Sequence, residues 1–242
     1  MNDLLERMAS NSEQPQRHSS AKEGCLAIIL SGHEAQKTPE LDVTNFEQVF
    51  RAADNKTCIV GGNSDPEKME HRGATSRHLS DTVERISVCA EQYSVVFLVL
   101  LAPGNYEQIV MANGTIRIVN IIKRLNAVAH KHEATRFVLF IGTTPSANDE
   151  RSTPQVDSDR LFSNLLVLQA TDASQVVPGY KDGFYGSLPV YKFCQKLATE
   201  SSVLESAAKV NREEEALGLP VSQLQILENG FQDFRLRPIV IA

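Results

Sequence analysis

The sequence predicts an α/β fold, in which the strands of a mostly parallel sheet alternate with helices. Two patterns in its 242 residues support this class. From Cys25 onward, short apolar runs alternate with amphipathic segments, which is the order expected of strands joined by crossover helices. The run at residues 94–101 is apolar throughout, as is typical of a strand buried on both faces. A chain of this length can bury a sizeable core without disulfides.

The apolar runs locate the strands, and the amphipathic segments locate the helices. The predicted strands are residues 25–30, 57–60, 94–101, 136–141, 165–171 and 234–241. The predicted helices are residues 42–53, 65–83, 119–130, 188–197 and 203–217. In the first helix, Phe46, Val49 and Phe50 share one face, and either Asp42 or Thr44 is placed to cap the helix start.

The remaining elements rest on similar patterns. In the helix at residues 119–130, Ile121, Leu125 and Val128 lie on one face. The helix at residues 65–83 is the weakest prediction, because that segment is polar with only scattered apolar side chains. The segment at residues 234–241 alternates for four residues and then becomes apolar, which predicts a closing strand.

Three segments depart from the alternation of strands and helices. Residues 108–118 carry apolar side chains on both sides of Asn113-Gly114, which predicts a hairpin outside the parallel sheet. Residues 144–160 contain prolines, acidic residues and Ser/Thr without periodicity, which predicts a flexible linker. Residues 1–22 are polar and lack an apolar period, so we expect a disordered tail.

The composition excludes several classes of function. A net charge of -6 gives no electrostatic attraction to nucleic acid or to anionic lipid. No run approaches the about 18 to 20 apolar residues of a membrane-spanning helix, and residues 1–22 lack the apolar core of a secretory signal. The four cysteines form neither a CxxC pair nor a zinc-binding spacing, which favours reduced thiols, a cytoplasmic location and no metal or other cofactor.

Several short motifs follow one another in an order that one known family shares. The matching segments are Asp42, Asn45 and Phe46 for DxxNL, residues 95–104 for a strand ending in LSHG, the Asn113-Gly114 hairpin, residues 137–143 for a strand ending in QACRG, Gly186-Ser187 with Cys194 for GSWFIQxLC, and residues 209–213 for TRVNR. These motifs belong to the caspase family of cysteine peptidases, which the chain resembles over residues 23–242.

The resemblance implies a three-layer α/β/α sandwich around a mostly parallel six-stranded sheet. It also implies a division of the chain after the tail. Residues 23–143 correspond to the large subunit, residues 144–160 to the intersubunit linker, and residues 161–242 to the small subunit of the same domain.

The positions that carry the family's chemistry are changed in this chain. A caspase uses a cysteine thiolate and a histidine, with the QACRG cysteine about 50 residues after the histidine. The resemblance puts Pro103 at the histidine position and Thr143 at the cysteine position. The family's substrate pocket holds an aspartate with two arginines and a glutamine, and these positions correspond to Gln36, Lys181 and Ile141. We therefore expect a catalytically inactive pseudocaspase rather than an enzyme, because a threonine hydroxyl needs a base that proline does not supply.

The resemblance also implies a role and a partner. An inactive homologue can regulate an active caspase paralogue in apoptosis by forming a heterodimer and activating it allosterically. In this family the last strand pairs across a two-fold axis, which could also form a homodimer. The candidate interface residues are Phe234, Leu236, Ile239, Val240 and Ile241. Pro238 must then face away from the partner, because proline cannot donate to a ladder.

Alternatives remain open for these functional predictions. The chain could act as an inhibitory decoy, or as a binding module that titrates caspase adaptors or inhibitors. The last segment could be an ordinary edge strand protected by proline and arginine. Asp157, which follows Pro154-Gln155-Val156, is a candidate cleavage site for an active caspase, and the alternative is a generic acidic linker.

Overall fold

Helices and strands alternate over the described residues between 23 and 103, as the sequence predicts, and less regularly after them. The structure, a computed structural model, describes residues 23–32, 37–52, 56–60, 73–144, 158–170, 176–178, 184–199, 202–216 and 224–236. The predicted tail at residues 1–22 and most of the predicted linker, residues 145–157, lie outside these described residues.

The elements have the following bounds. In chain order they are β1 Glu23–Ser31, α1 Lys37–Ala52, β2 Lys56–Val60, α2 Ser76–Cys89, β3 Tyr93–Pro103, β4 Gln108–Met111, β5 Gly114–Arg117, α3 Ile118–Lys131, β6 Arg136–Thr144, β7 Leu165–Ala170, β8 Val176–Pro178, β9 Phe184–Ser187, α4 Leu188–Ala198, α5 Val203–Ala216 and β10 Leu224–Leu227. Short 3₁₀ turns occupy Ala90–Gln92 and Ser158–Arg160.

Six strands of the described chain form the central sheet, in the order β10-β7-β6-β3-β1-β2. Five of them run parallel, and β10 pairs antiparallel with β7 at the edge. The hairpins β4–β5 and β8–β9 form separate two-stranded sheets, so the described residues contain ten strands in all. The α/β class with a mostly parallel central sheet is confirmed, and the β4–β5 hairpin lies outside that sheet as predicted.

Helices cover both faces of the sheet and bury its side chains. The core on one face joins the sheet to α1, α4 and α5, and the core on the other joins it to α2, α3 and the β4–β5 hairpin. On the first face, the ring of Phe140 packs 4.9 Å from that of Phe46 and 5.2 Å from that of Phe193, measured between ring centroids. Burial on both faces explains why β3, β6 and β7 are continuous apolar runs in the sequence.

Two helices begin at positions other than those predicted. α1 begins at Lys37 rather than at residue 42, so Asp42 and Thr44 lie inside the helix and do not cap its start. α2 begins at Ser76 rather than at residue 65, and it continues to Cys89. The start of α2 is fixed by a capping box, in which Thr75 Oγ1 accepts the His78 N–H and His78 Nδ1 accepts the Thr75 N–H, each at 3.2 Å.

The predicted closing strand at residues 234–241 is wrong where the structure describes it. Residues 234–236 are not in a strand, and the sixth strand is β10, which the sequence analysis missed. The Phe234 carbonyl accepts the Val203 N–H at 3.0 Å, and Asp233 Oδ1 accepts the Leu204 N–H at 2.9 Å. These bonds tie the segment to the start of α5, so the Phe234 carbonyl is not available to a strand ladder.

Both ends of the segment predicted as a linker, residues 144–160, lie in ordered elements. Thr144 is the last residue of β6, and Ser158–Arg160 forms a 3₁₀ turn. Side-chain amides hold the chain just after this turn, because Asn126 Nδ2 donates to the Arg160 carbonyl and Asn229 Nδ2 donates to the Leu161 carbonyl, each at 3.0 Å. The strands before and after the predicted linker, β6 and β7, are therefore neighbours in one sheet.

Truncating a side chain of the central aromatic cluster should destabilise the folded protein. Phe140→Ala removes a ring with no solvent exposure that contacts two other rings, so we expect a loss of roughly 3–5 kcal/mol in the free energy of unfolding. Urea denaturation measures it. The control Val110→Ala changes an exposed side chain and should cost less than about 0.5 kcal/mol. Equal losses for both variants would contradict the described core.

Candidate functional site

The carboxyl ends of β3 and β6 bring two of the predicted site residues together. Thr143 pairs with Ala102, and the next pair is Thr144 with Pro103. Adjacent strands lie about 4.8 Å apart, so Pro103 and Thr143 are diagonal neighbours in the sheet. Open α/β sheets bind ligands beyond the carboxyl ends of their parallel strands, which makes this edge the candidate site.

Thr143 is fully buried at this edge. Its hydroxyl donates a hydrogen bond to the Ala170 carbonyl on β7, at a long distance of 3.4 Å. The residue before it, Gly142, is closely packed, because an added Cβ would lie 2.9 Å from Leu101 Cδ2 and the Leu101 side chain would have to shift. The hydroxyl is therefore enclosed between strands and has a partner in the protein backbone.

Pro103 leads into a tight connection between β3 and the β4–β5 hairpin. Gly104 has a φ of +153° and forms a bridge with Ile109. A Cβ at Gly104 would lie 2.2 Å from the Gln108 carbonyl oxygen, so no other residue fits this backbone. The glycine in the sequence Leu101-Ala102-Pro103-Gly104 is thus required by the close approach of the hairpin.

The described imidazoles have other partners. His78 accepts the Thr75 N–H in the capping box of α2. His132 Nε2 lies 2.9 Å from the Ser87 carbonyl, and the His130 ring stacks on Phe162 at 4.3 Å between centroids. His130 and His132 come just before the first residue of β6, whereas Thr143 is near the last residue of that strand, so they lie at opposite ends of β6. Within the described ranges, no imidazole is hydrogen-bonded to Thr143.

The buried thiols are not reactive groups. Burial raises the pKa of the Cys25 thiol, and a backbone hydrogen bond with Phe97 offsets only part of this effect. Burial also raises the pKa of Cys194, and the charge of Asp42 raises it further. A thiol must ionise to act as a nucleophile or as a metal ligand, so both cysteines serve as small apolar side chains in the core.

The positions predicted for a substrate pocket, a cleavage site and an interface are described only in part. Ile141 is fully buried on β6, between Leu100 on β3 and Gln169 on β7. Gln36, Lys181, Asp157, Ile239, Val240 and Ile241 lie outside the described residues. Phe234 and Leu236 pack in the core of their own chain, where the Phe234 ring lies 6.0 Å from that of Phe97.

Gln169 is a polar residue of this edge that the sequence analysis missed. Its side chain has no solvent exposure, and its Nε2 donates to the Tyr106 carbonyl at 3.2 Å, while Oε1 has no hydrogen bond. This bond holds the loop after Gly104 over the end of β7. The signal in the sequence is the single polar residue in the otherwise apolar run Leu165–Ala170.

Away from this edge, the surface has a shallow groove of about 430 Å³ between α4 and α5. It is lined by Lys196, Thr199, Lys209, Arg212, Glu213 and Ala216. Lys196 is ion-paired with Glu213, and Lys209 lies 3.3 Å from Glu205. Because these pairs balance most of its charge, the groove has no strong preference for an anion.

The described part of the chain contains neither a candidate metal site nor a membrane-spanning helix. No group of three or more His, Cys, Asp or Glu side chains in these ranges could hold a metal ion. None of the helices described is both long and apolar enough to cross a membrane.

The comparisons with known proteins support the fold. No family model matches the sequence, and no curated protein matches it. The solved structure of pro-sf-caspase-1 matches with a TM-score of 0.59 and 12% sequence identity, and the match covers 94% of this chain and 98% of that chain. The chain therefore has a caspase-like α/β fold, and at this identity the likeness shows the fold alone.

A cysteine placed at residue 143 should be protected by its burial. We expect Thr143→Cys to react with iodoacetamide at least about tenfold more slowly than Val110→Cys, because alkylation requires an exposed and ionised thiol. Peptide mass spectrometry of the native protein measures each rate separately from that of the natural cysteines. Similar alkylation rates at the two positions in the native protein would contradict the burial of residue 143. In urea, where the protein is unfolded, the two rates should become equal.

Proposed function

We propose that this chain is a catalytically inactive caspase homologue that binds an active caspase and regulates it in apoptosis, in the cytoplasm. The observation that carries the proposal is the burial of Thr143, at the position that corresponds to the family's nucleophile. A nucleophile must lose its proton to a base and reach a carbonyl carbon. An enclosed hydroxyl that already donates to the Ala170 carbonyl is unsuited to both steps.

The neighbouring positions support the same proposal. Pro103 has no titratable group, so it supplies no base at the position of the family's histidine. Ile141 is buried and apolar, so it cannot donate a hydrogen bond to a substrate carboxylate. In this proposal the chain neither cleaves a peptide nor holds its aspartate, which favours a regulator over a decoy that competes for substrate.

The proposed partner surface is the outer edge of β10. The Leu224 N–H donates to Asn211 Oδ1 at 2.7 Å, and Asn211 Nδ2 donates to the Leu224 carbonyl at 2.8 Å. These two groups therefore point away from β7. In an antiparallel pair the direction repeats every second residue, so the Ile226 N–H and carbonyl also point outward. The described residues make no hydrogen bond to either group, and such an edge can accept another strand.

This surface differs from the one that the sequence suggested. Phe234 and Leu236 are used inside the protomer, so the proposed interface is centred on Ile226 and covers the exposed part of β10. Ile239, Val240 and Ile241 stay candidates for its margin. Asn211 already covers the edge at Leu224, which limits pairing to the remainder of the strand.

The proposed effect on the partner is activation. A partner strand paired with β10 would extend the sheet, and the bound chain would act as a template that favours the ordered state of the partner's active-site loops. A strand edge that the described residues leave without a partner strand, together with a buried hydroxyl at the catalytic position, suits a template better than a competitor for substrate. An inhibitory decoy and an adaptor-binding module remain the competing functions.

The direct test is a peptide-cleavage assay with an active caspase. We expect no cleavage by this protein alone and at least about a twofold increase in the caspase's turnover at saturating excess, the response expected of a partner that shifts the population toward the active state. A decrease would favour the inhibitory decoy. Unchanged turnover, with no complex detected by analytical ultracentrifugation, would refute regulation by heterodimerisation.

The edge of β10 can be tested with two substitutions at one position. Ile226→Pro removes an N–H that points away from β7, so it should leave the internal ladder intact and abolish binding to the caspase. Ile226→Ala keeps this N–H and should bind as the wild type does, apart from a small loss of packing. Thermal unfolding checks that both variants fold. Equal binding by both folded variants would exclude this edge as the interface.

A further inference from the structure

A buried carboxyl group joins α1 to the junction of β9 and α4. Asp42 lies in the middle of α1 and is only 5% exposed. Its Oδ1 accepts the backbone N–H of Ser187 at 2.7 Å. Ser187 is the last residue of β9 and the N-cap of α4, and it follows Asp42 by 145 residues in the sequence. This bond therefore connects the parts of the chain before and after the predicted linker.

The described side chains around Asp42 offer little compensation for a negative charge. Ser187 is itself fully buried, and its hydroxyl, which lies beside the carboxyl group, makes no hydrogen bond of good geometry. From α4, the Cys194 thiol is close enough for the charge of Asp42 to raise its pKa. The other side chains of this core include the rings of Phe46 and Phe193, which cannot stabilise a carboxylate.

Titration of this group falls near neutral pH. Burial raises the pKa of Asp42 to about 7, and the N–H and hydroxyl of Ser187 lower it by a smaller amount. Among the residues whose side chains the structure describes, none that is charged contributes to this shift. The carboxyl group is therefore neutral in the folded protein below about pH 7 and ionised above it.

We propose that Asp42 is a proton-dependent latch, which holds α1 against the β9–α4 junction when its carboxyl group is neutral and lets this junction open more often when the group is ionised. Once the junction opens, water reaches the carboxylate and replaces the solvation that the core withholds. The element released is β9, together with the first turn of α4. The latch is independent of the proposed function, because it concerns a different part of the molecule from Thr143 and β10.

The sign of the pH dependence follows from proton linkage. With a raised pKa in the closed state and an ordinary pKa in the open state, the closed state binds more protons between about pH 4 and pH 7. The contribution of Asp42 to closure is therefore complete below about pH 4 and is lost as the pH rises through about 7. Between pH 6 and pH 8, linkage predicts that the opening constant rises by about tenfold.

Hydrogen exchange of the Ser187 amide tests the latch directly. In wild-type protein, we expect opening at Ser187 to increase about tenfold from pH 6 to pH 8, after correction for the intrinsic exchange rate. Asp42→Asn keeps an acceptor for the Ser187 N–H and cannot ionise, so its opening should change less than about twofold over the same range. The control Glu47→Gln makes the same chemical change on α1 at a partly exposed residue that is paired with Arg51, and it should behave as the wild type does.

A second measurement keeps the test valid if Asp42→Asn does not fold. Carbon-13 NMR of aspartate carboxyl groups in the wild-type protein should show one resonance that titrates near pH 7. A set of aspartate resonances that all titrate below about pH 5 would overturn the proposal. Opening at Ser187 that does not depend on pH, or that shows the same dependence in Asp42→Asn, would also overturn it.

Discussion

Burial of β3 and β6 on both faces is the constraint on which the other features of this structure depend. These parallel neighbours carry side chains that point alternately to the α1–α4–α5 layer and to the α2–α3 layer. Their apolar surface is removed from water only when both layers are in place, which is the main driving force for the fold. The polar groups that enter this region can therefore find partners only inside the protein.

The chemistry of the candidate site follows from the same constraint. Where β6 ends, the Thr143 hydroxyl bonds to the carbonyl of Ala170, and beside it the amide of Gln169 bonds to that of Tyr106. The low polarity of this interior also keeps the thiols of Cys25 and Cys194 protonated. One physical cause, the exclusion of water, thus gives these side chains structural roles.

Two polar contacts connect segments that lie far apart in the sequence or in different elements. Asp42 bonds to the start of α4, and Asn211 bonds to both backbone groups of Leu224 at the edge of the sheet. Each side chain satisfies backbone groups where a helix or strand leaves them without a regular partner. The first contact involves the Asp42 carboxyl group, whose charge changes near neutral pH. The second involves the side-chain amide of Asn211, which carries no charge. Their expected responses to pH therefore differ, although both hold elements in place.

Elements with a local signal could be predicted from the sequence alone. The apolar runs located β1, β3, β6 and β7 to within a few residues, and the Asn-Gly pair located the β4–β5 hairpin. Features that depend on distant partners could not be predicted, and the pairing of β3 with β6 that makes Pro103 and Thr143 neighbours is one of them. Residues 234–236 alternate as a strand would, but the Phe234 carbonyl bonds to the start of α5, and β10 pairs with β7 at this edge of the sheet instead. Asp42 resembles a helix cap in the sequence, and its partner is 145 residues away. Periodicity reports only which face of an element is apolar, whereas burial and hydrogen-bond partners are set by segments that meet after folding.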